Sequence, residues 1–199
     1  MLVLASASPR RVELLRQLGV DFVVRPAEVP EERQPGEAPE AYGLRVATEK
    51  AREAQRHLPA GTPVLGADTE VLLDGRVLGK PRDEAHAGEL LLALSGRSHE
   101  VLSAVVLLRD AEVWMARSRT RVWFRPLSGR EILDYVLGGE PMGKAGAYAI
   151  QGRAAAFIER IDGSYSGVMG LPLFETAELL GQAGLPLGSV HGAAAAHSV

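Results

Sequence analysis

Asp68 and Thr69 in "GADT", with Lys80 in "LGKP", are residues of the types that handle phosphoryl groups. Asp74-Gly75 between two apolar runs is a strong type I′ hairpin signal. A two-residue turn there sets Leu73 opposite Arg76, Val71 opposite Leu78 and Thr69 opposite Lys80. Asp68 lies one step further, so a carboxylate, a hydroxyl and an ammonium converge at the open end of one hairpin. Strand neighbours point to opposite faces, so Asp68 meets Lys80 only if Gly79 relaxes the register. A plain ion pair is the competing reading.

A second candidate is "LASASPRRVELL", a strand end, a polar turn and a helix start. Ser8 is a good N-cap and Pro9 suits the first helical position. Arg10 and Arg11 follow, although a helix N-terminus carries partial positive charge and disfavours cations by roughly 0.3–1 kcal/mol each. Basic charge is otherwise biased: 19 arginines against three lysines, Lys50, Lys80 and Lys144. Lysine is a compact, strongly hydrated point charge suited to a phosphoryl group or to base chemistry. All three lie in "TEKA", "LGKP" and "MGKAGAY", Ala-rich or Gly/Pro-punctuated stretches. For Lys50 the competing reading is a solvated helix face with Glu53 at i+3. Several cations on separate elements, with a strand-end carboxylate, suit a phosphorylated small molecule and Mg²⁺ held by one or two carboxylates plus substrate oxygens.

The elements that must position these residues are readable in outline. "MLVLAS" reads as a short buried strand, Pro9 to about Leu18 as a helix, and "DFVV" as a strand before an acidic, Pro-rich, mobile loop holding Glu31 and Glu32. A helix is predicted over about Pro39–Leu58 and another over 83–95, with long strands at "HEVLSAVVLLR" and "VWMARSRTRVWF". Ser128 and Glu131 form a capping box for "GREILDYVL". "AAAFIERI" reads as a strand, "DGSYSGVMG" as a Gly-rich turn, and Leu171 to about Gln182 as a last helix. Hairpins among the alternating elements favour an α/β fold with a mixed central sheet flanked by helices. Residues 1–188 read as one domain and 189–199 as a low-complexity tail.

Taken in order, "LASASPRRVELL", "TEKA", "GADT", "LGKP", "LSGRSH", "EPMGKAGAYAIQGR" and "GSYSGVMGLPL" resemble the signature segments of the Maf family of nucleotide pyrophosphatases, from about Leu2 to Leu180. The resemblance implies two lobes with a deep cleft, similar to inosine-triphosphate pyrophosphatases. It implies hydrolysis of a nucleoside triphosphate to the monophosphate and pyrophosphate with a divalent cation, Mg²⁺ or Mn²⁺. Arg11, Thr69 and Gln151 resemble the dTTP/UTP branch and are the expected specificity positions, acting on canonical or modified pyrimidine nucleotides. A Gln amide matches the O4/N3–H edge of uracil or thymine. By the same carry-over Asp68 is the catalytic carboxylate, as base or metal ligand, and Lys50 and Lys80 contact the triphosphate. Ser8 and Arg10 line its site, and Glu31 helps to hold the metal. Glu70, where the family more usually has an apolar or neutral residue, is expected to point away from the site. The family's older association with septum formation gives the alternative of a nucleotide-binding regulatory protein without essential turnover.

Composition bounds the rest. A net charge of −3 argues against a nucleic-acid partner, and no apolar run approaches the ~18–20 residues of a membrane span. The absence of cysteine excludes thiol catalysis and thiolate-held metals. No secretory signal is visible, so a cytoplasmic location is expected. A homodimer is compatible with the sequence, though nothing in it forces one.

Overall fold

The computed structural model describes residues 1–185 and 187; the expected tail, 189–199, lies outside them. The chain runs β1 (Leu2–Leu4), α1 (Pro9–Gln17), β2 (Phe22–Val24), α2 (Pro39–Gln55), β3 (Val64–Leu73), β4 (Arg76–Leu78) and α3 (Glu84–Leu94). It continues through β5 (Ser98–Arg109), β6 (Glu112–Phe124), α4 (Gly129–Leu137), β7 (Ile158–Asp162), α5 (Tyr165–Met169) and α6 (Leu173–Gln182). The sheet order is β2-β1-β3-β5-β6-β7, with β4 also on β3. β1 is parallel to β2 and β3, and every other pairing is antiparallel, so the sheet is mixed as expected.

Alternation along β3 sorts its side chains onto two cores. Leu65, Ala67, Val71 and Leu73 join the larger one with α1, α3, α4 and α6. Val64 faces the smaller one, where α2 contributes Ala47, Ala51 and Ala54. Gly66 lets α2 approach this closely: a Cβ there would lie 2.1 Å from the Ala47 carbonyl oxygen. That close docking carries Lys50 of α2 against β3.

Several expectations need correction. The stretch Arg153–Phe157 is a 3₁₀ helix, and strand pairing begins only at Ile158. "DGSYSGVMG" contains the helix α5, because the Ser164 side chain accepts from Gly167 N and caps it. The acidic loop expected to be mobile is strapped to α2: Arg45 bonds Glu37 at 2.7 Å and the Glu32 carbonyl at 2.9 Å. No helix among the described residues is long and apolar enough to cross a membrane.

Candidate active site

The site begins as an interruption in the sheet. On one edge of β3, β1 pairs up to Leu65 and β4 begins to pair only at Val71. Ala5 N donates to the Leu65 carbonyl at 2.8 Å, so strand alternation turns the backbone groups of Ala67 and Thr69 toward the same, unpaired edge. A cleft of about 960 Å³ opens there. Ser8, Arg10, Arg11, Glu31 and Lys50 line it together with Asp68, Thr69, Lys80 and Gln151. All nine sequence-predicted residues therefore meet in one place.

The hairpin expectation holds only in part. Leu73 faces Arg76 and Val71 faces Leu78, but pairing stops there and Lys80 never faces Thr69. Lys80 reaches Glu31 instead, at 2.9 Å. Asp68 takes its cation from α2: Lys50 Nζ lies 2.8 Å from its Oδ1 and 2.6 Å from Glu31 Oε1. The Lys50 side chain is only 9% exposed, which overturns the solvated-face reading; Glu53 pairs with Arg56. Glu31 thus bridges both lysines, while Glu32 contributes only its carbonyl, to Arg45. Burial opposes ionisation of Glu31, but the two ammonium groups outweigh it and hold the carboxyl down at about 2.

The other face of β3 carries the arginines. Arg10 Nε donates to the Met169 carbonyl at 3.2 Å, and Arg11 Nε to that of Gly170 at 2.8 Å. Carbonyls at the C-terminal end of α5 thus receive the two cations that the start of α1 disfavours. Arg11 also reaches Ser6 Oγ at 3.3 Å and Thr69 Oγ1 at 3.4 Å. Thr69 in turn lies 3.0 Å from Ser103 Oγ, which donates to the Gly167 carbonyl at 2.6 Å. Ser8 makes no side-chain cap bond, so its hydroxyl is not committed to α1.

Glu70 corrects the sequence reading outright. Being two residues from Asp68 it shares that face of β3, and it lines the cleft rather than pointing away. Burial, then the negative charge of Asp68, push the Glu70 carboxyl up to about 8. Sequence reasoning also left Lys144 without a place, though its rarity had marked it. It lines the same cleft, where burial and Arg10 lower its pKa.

Residues 1–183 match the family model for Maf-like protein. The chain belongs to the Maf-like family. Among its relatives, a "dTTP/UTP pyrophosphatase" of Methylococcus capsulatus is 54% identical, covering 92% of this chain and 91% of the relative. One of the same name from Yersinia pestis is 53% identical, covering 90% and 91%. Among solved structures, a nucleoside-triphosphatase (dITP/XTP pyrophosphatase) of Mycobacterium abscessus overlaps at a TM-score of 0.42 and 23% identity, over 62% of this chain and 73% of that one. The Staphylococcus aureus Ham1 protein overlaps at 0.45 and 18%, over 62% and 71%.

The Maf-like cleft has a donor set fit for a hard cation. Asp68 Oδ2 is a buried carboxylate oxygen with no hydrogen-bond partner. Among the described residues no three His, Cys, Asp or Glu side chains gather into a metal cage. Two carboxylates that leave the remaining positions to substrate oxygens and water are the usual Mg²⁺ arrangement.

Proposed function

We propose that this Maf-like protein is a nucleoside triphosphate pyrophosphatase that hydrolyses dTTP and UTP to the monophosphate and pyrophosphate. The observation that carries the reading is the buried Asp68–Lys50 pair at the unpaired edge of β3, with one carboxylate oxygen unengaged beside Glu31 and Lys80. The names of relatives more than half identical support the substrate class. The cytoplasm, where nucleoside triphosphates are made, is the compartment this activity requires.

Asp68 and Glu31 are the residues that would hold Mg²⁺ or Mn²⁺. Such an ion supplies charge neutralisation on phosphoryl oxygens and lowers the pKa of a bound water. Lys50 fixes the Asp68 carboxylate through Oδ1, which leaves Oδ2 to serve as metal ligand or as acceptor of a proton from the attacking water. Lys80, the more exposed lysine at 59%, exchanges Glu31 for a phosphate oxygen as the triphosphate enters. Arg10, Lys144 and the free hydroxyl of Ser8 add donors where charge collects on the leaving pyrophosphate. Arg11 is already braced by Gly170, Ser6 and Thr69, so it presents a fixed wall to the nucleoside. The exposed Gln151 amide reads the O4/N3–H edge of the base.

The test is product identity across a panel of dTTP, UTP, CTP and GTP with Mg²⁺ or Mn²⁺. Pyrophosphate release from dTTP and UTP, well above that from CTP and GTP, is expected. Tight binding of a nucleotide with no turnover of any would instead support the regulatory reading.

A further inference from the structure

Gln151 projects from a turn in which Gly152 N donates to the Ala149 carbonyl at 3.0 Å. Both flanks of that turn end on the same two side chains. On the N-terminal side, Ala149 N donates to the Tyr135 hydroxyl at 3.3 Å. On the C-terminal side, Arg153 N donates to Glu140 Oε2 at 3.0 Å and Ala154 N to Oε1 at 3.4 Å. The Tyr135 hydroxyl closes the frame by donating to Glu140 Oε1 at 2.8 Å. Tyr135 is 1% exposed and sits on α4, a helix held by a complete capping box. A Cβ at Gly152 would lie 2.2 Å from Glu140 Oε1, so any larger residue there would push the carboxylate out of the frame.

From this geometry we propose that Tyr135 and Glu140 are positioning residues for base selection, clamping the residues two before and two after Gln151 so that its side chain is held within hydrogen-bond reach of the base edge. The proposal rests on the reading of Gln151 as the base-reading residue. A side-chain amide offers one donor and one acceptor group, and it rewards the matching base edge only where the turn keeps it within hydrogen-bond reach of that edge. A buried hydroxyl bonded on both sides and a carboxylate that accepts three bonds resist motion of that turn. Burial opposes ionisation of Glu140, but bonds from Arg153 N, Tyr135 and Ala154 N hold its carboxyl below the ordinary range. The frame is therefore charged, and stiff, at neutral pH.

The experiment compares Tyr135→Phe, Glu140→Gln, Glu140→Ala and Gln151→Ala with the wild type. For each, kcat and KM are measured on UTP and CTP, with inhibition by inorganic tripolyphosphate, which engages only the phosphate side. The expected result is a fall of about tenfold in the UTP/CTP preference for Tyr135→Phe and Glu140→Ala, which is about 1.4 kcal/mol. The fall is carried by KM for UTP, with tripolyphosphate inhibition unchanged. Glu140→Gln keeps one acceptor oxygen and falls between wild type and Glu140→Ala. An unchanged preference in the Tyr135 and Glu140 variants, with a lowered one in Gln151→Ala, overturns the frame and leaves the base reader standing. An unchanged preference in Gln151→Ala overturns the base reader and the proposal with it. Equal losses on UTP, CTP and tripolyphosphate also overturn it, because they mark a general scaffold.

Discussion

Lys50 Nζ lies within 2.8 Å of Asp68 and 2.6 Å of Glu31, with 9% of its side chain exposed. Removing one partner of a buried pair leaves an uncompensated charge, a loss of about 3–5 kcal/mol, whereas an exposed pair is worth about 0–1 kcal/mol. Lys50→Met is therefore expected to cost several-fold more stability than Lys80→Met, whose lysine is 59% exposed. Urea unfolding of the two variants checks this, and equal losses would mean that the buried pair is not formed. Both lysines stood out in the sequence by rarity. What the sequence withheld was the pairing, because it depends on α2 docking over Gly66 rather than on any local pattern. Glu70 shows the reverse failure. Its two-residue spacing from Asp68 puts it on the same strand face, which outweighs the expectation that it points away from the site.

Both α1 and α4 follow a serine at the N-cap position, but only one of the two serines caps its helix. Ser128 caps Glu131 N and Glu131 returns the bond, while the Ser8 side chain caps nothing. Ser128→Ala is expected to lose about 1 kcal/mol and Ser8→Ala no more than a few tenths. Thermal unfolding of the two single variants reads the difference directly; comparable losses would restore Ser8 to an ordinary cap. The cost of Arg10 and Arg11 at the start of α1 is offset by the Met169 and Gly170 carbonyls at the end of α5. Periodicity and capping were enough for α3, α4, β5 and β6, where local preference and packing agree. They failed at α5, a single turn held by its local Ser164 cap, and at Arg153–Phe157, whose first N–H groups bond to Glu140.

For the whole molecule, two buried groups set opposing slopes of stability with pH. Burial and Asp68 raise Glu70 from 4.5 to about 8, so the folded chain keeps a proton that the unfolded chain releases, and stability falls as pH rises through that window. Burial lowers His99 from 6.5 to about 4, so the unfolded chain gains a proton that the folded chain refuses. Its contribution is present above pH 6.5 and is lost as pH falls toward 4. The slopes oppose each other between pH 4.5 and 6.5, and only that of Glu70 remains from 6.5 to 8. Chelator-treated wild type is expected to be level in the first interval and to weaken in the second, by at most about 1.4 kcal/mol per pH unit. Glu70→Gln should instead strengthen up to pH 6.5 and then level off, as read by urea midpoints across pH. Identical profiles for the two proteins would mean that Glu70 does not hold a proton in the folded chain.

In the proposed reaction Asp68 performs chemistry on a bound nucleotide rather than only helping to hold it. Single-turnover hydrolysis of dTTP by Asp68→Asn, with nucleotide binding measured in parallel, separates the two roles. The expected rate is lower by about 10²–10⁴-fold, the usual loss on removing a catalytic base, with binding changed far less. Wild-type turnover by this variant would contradict it.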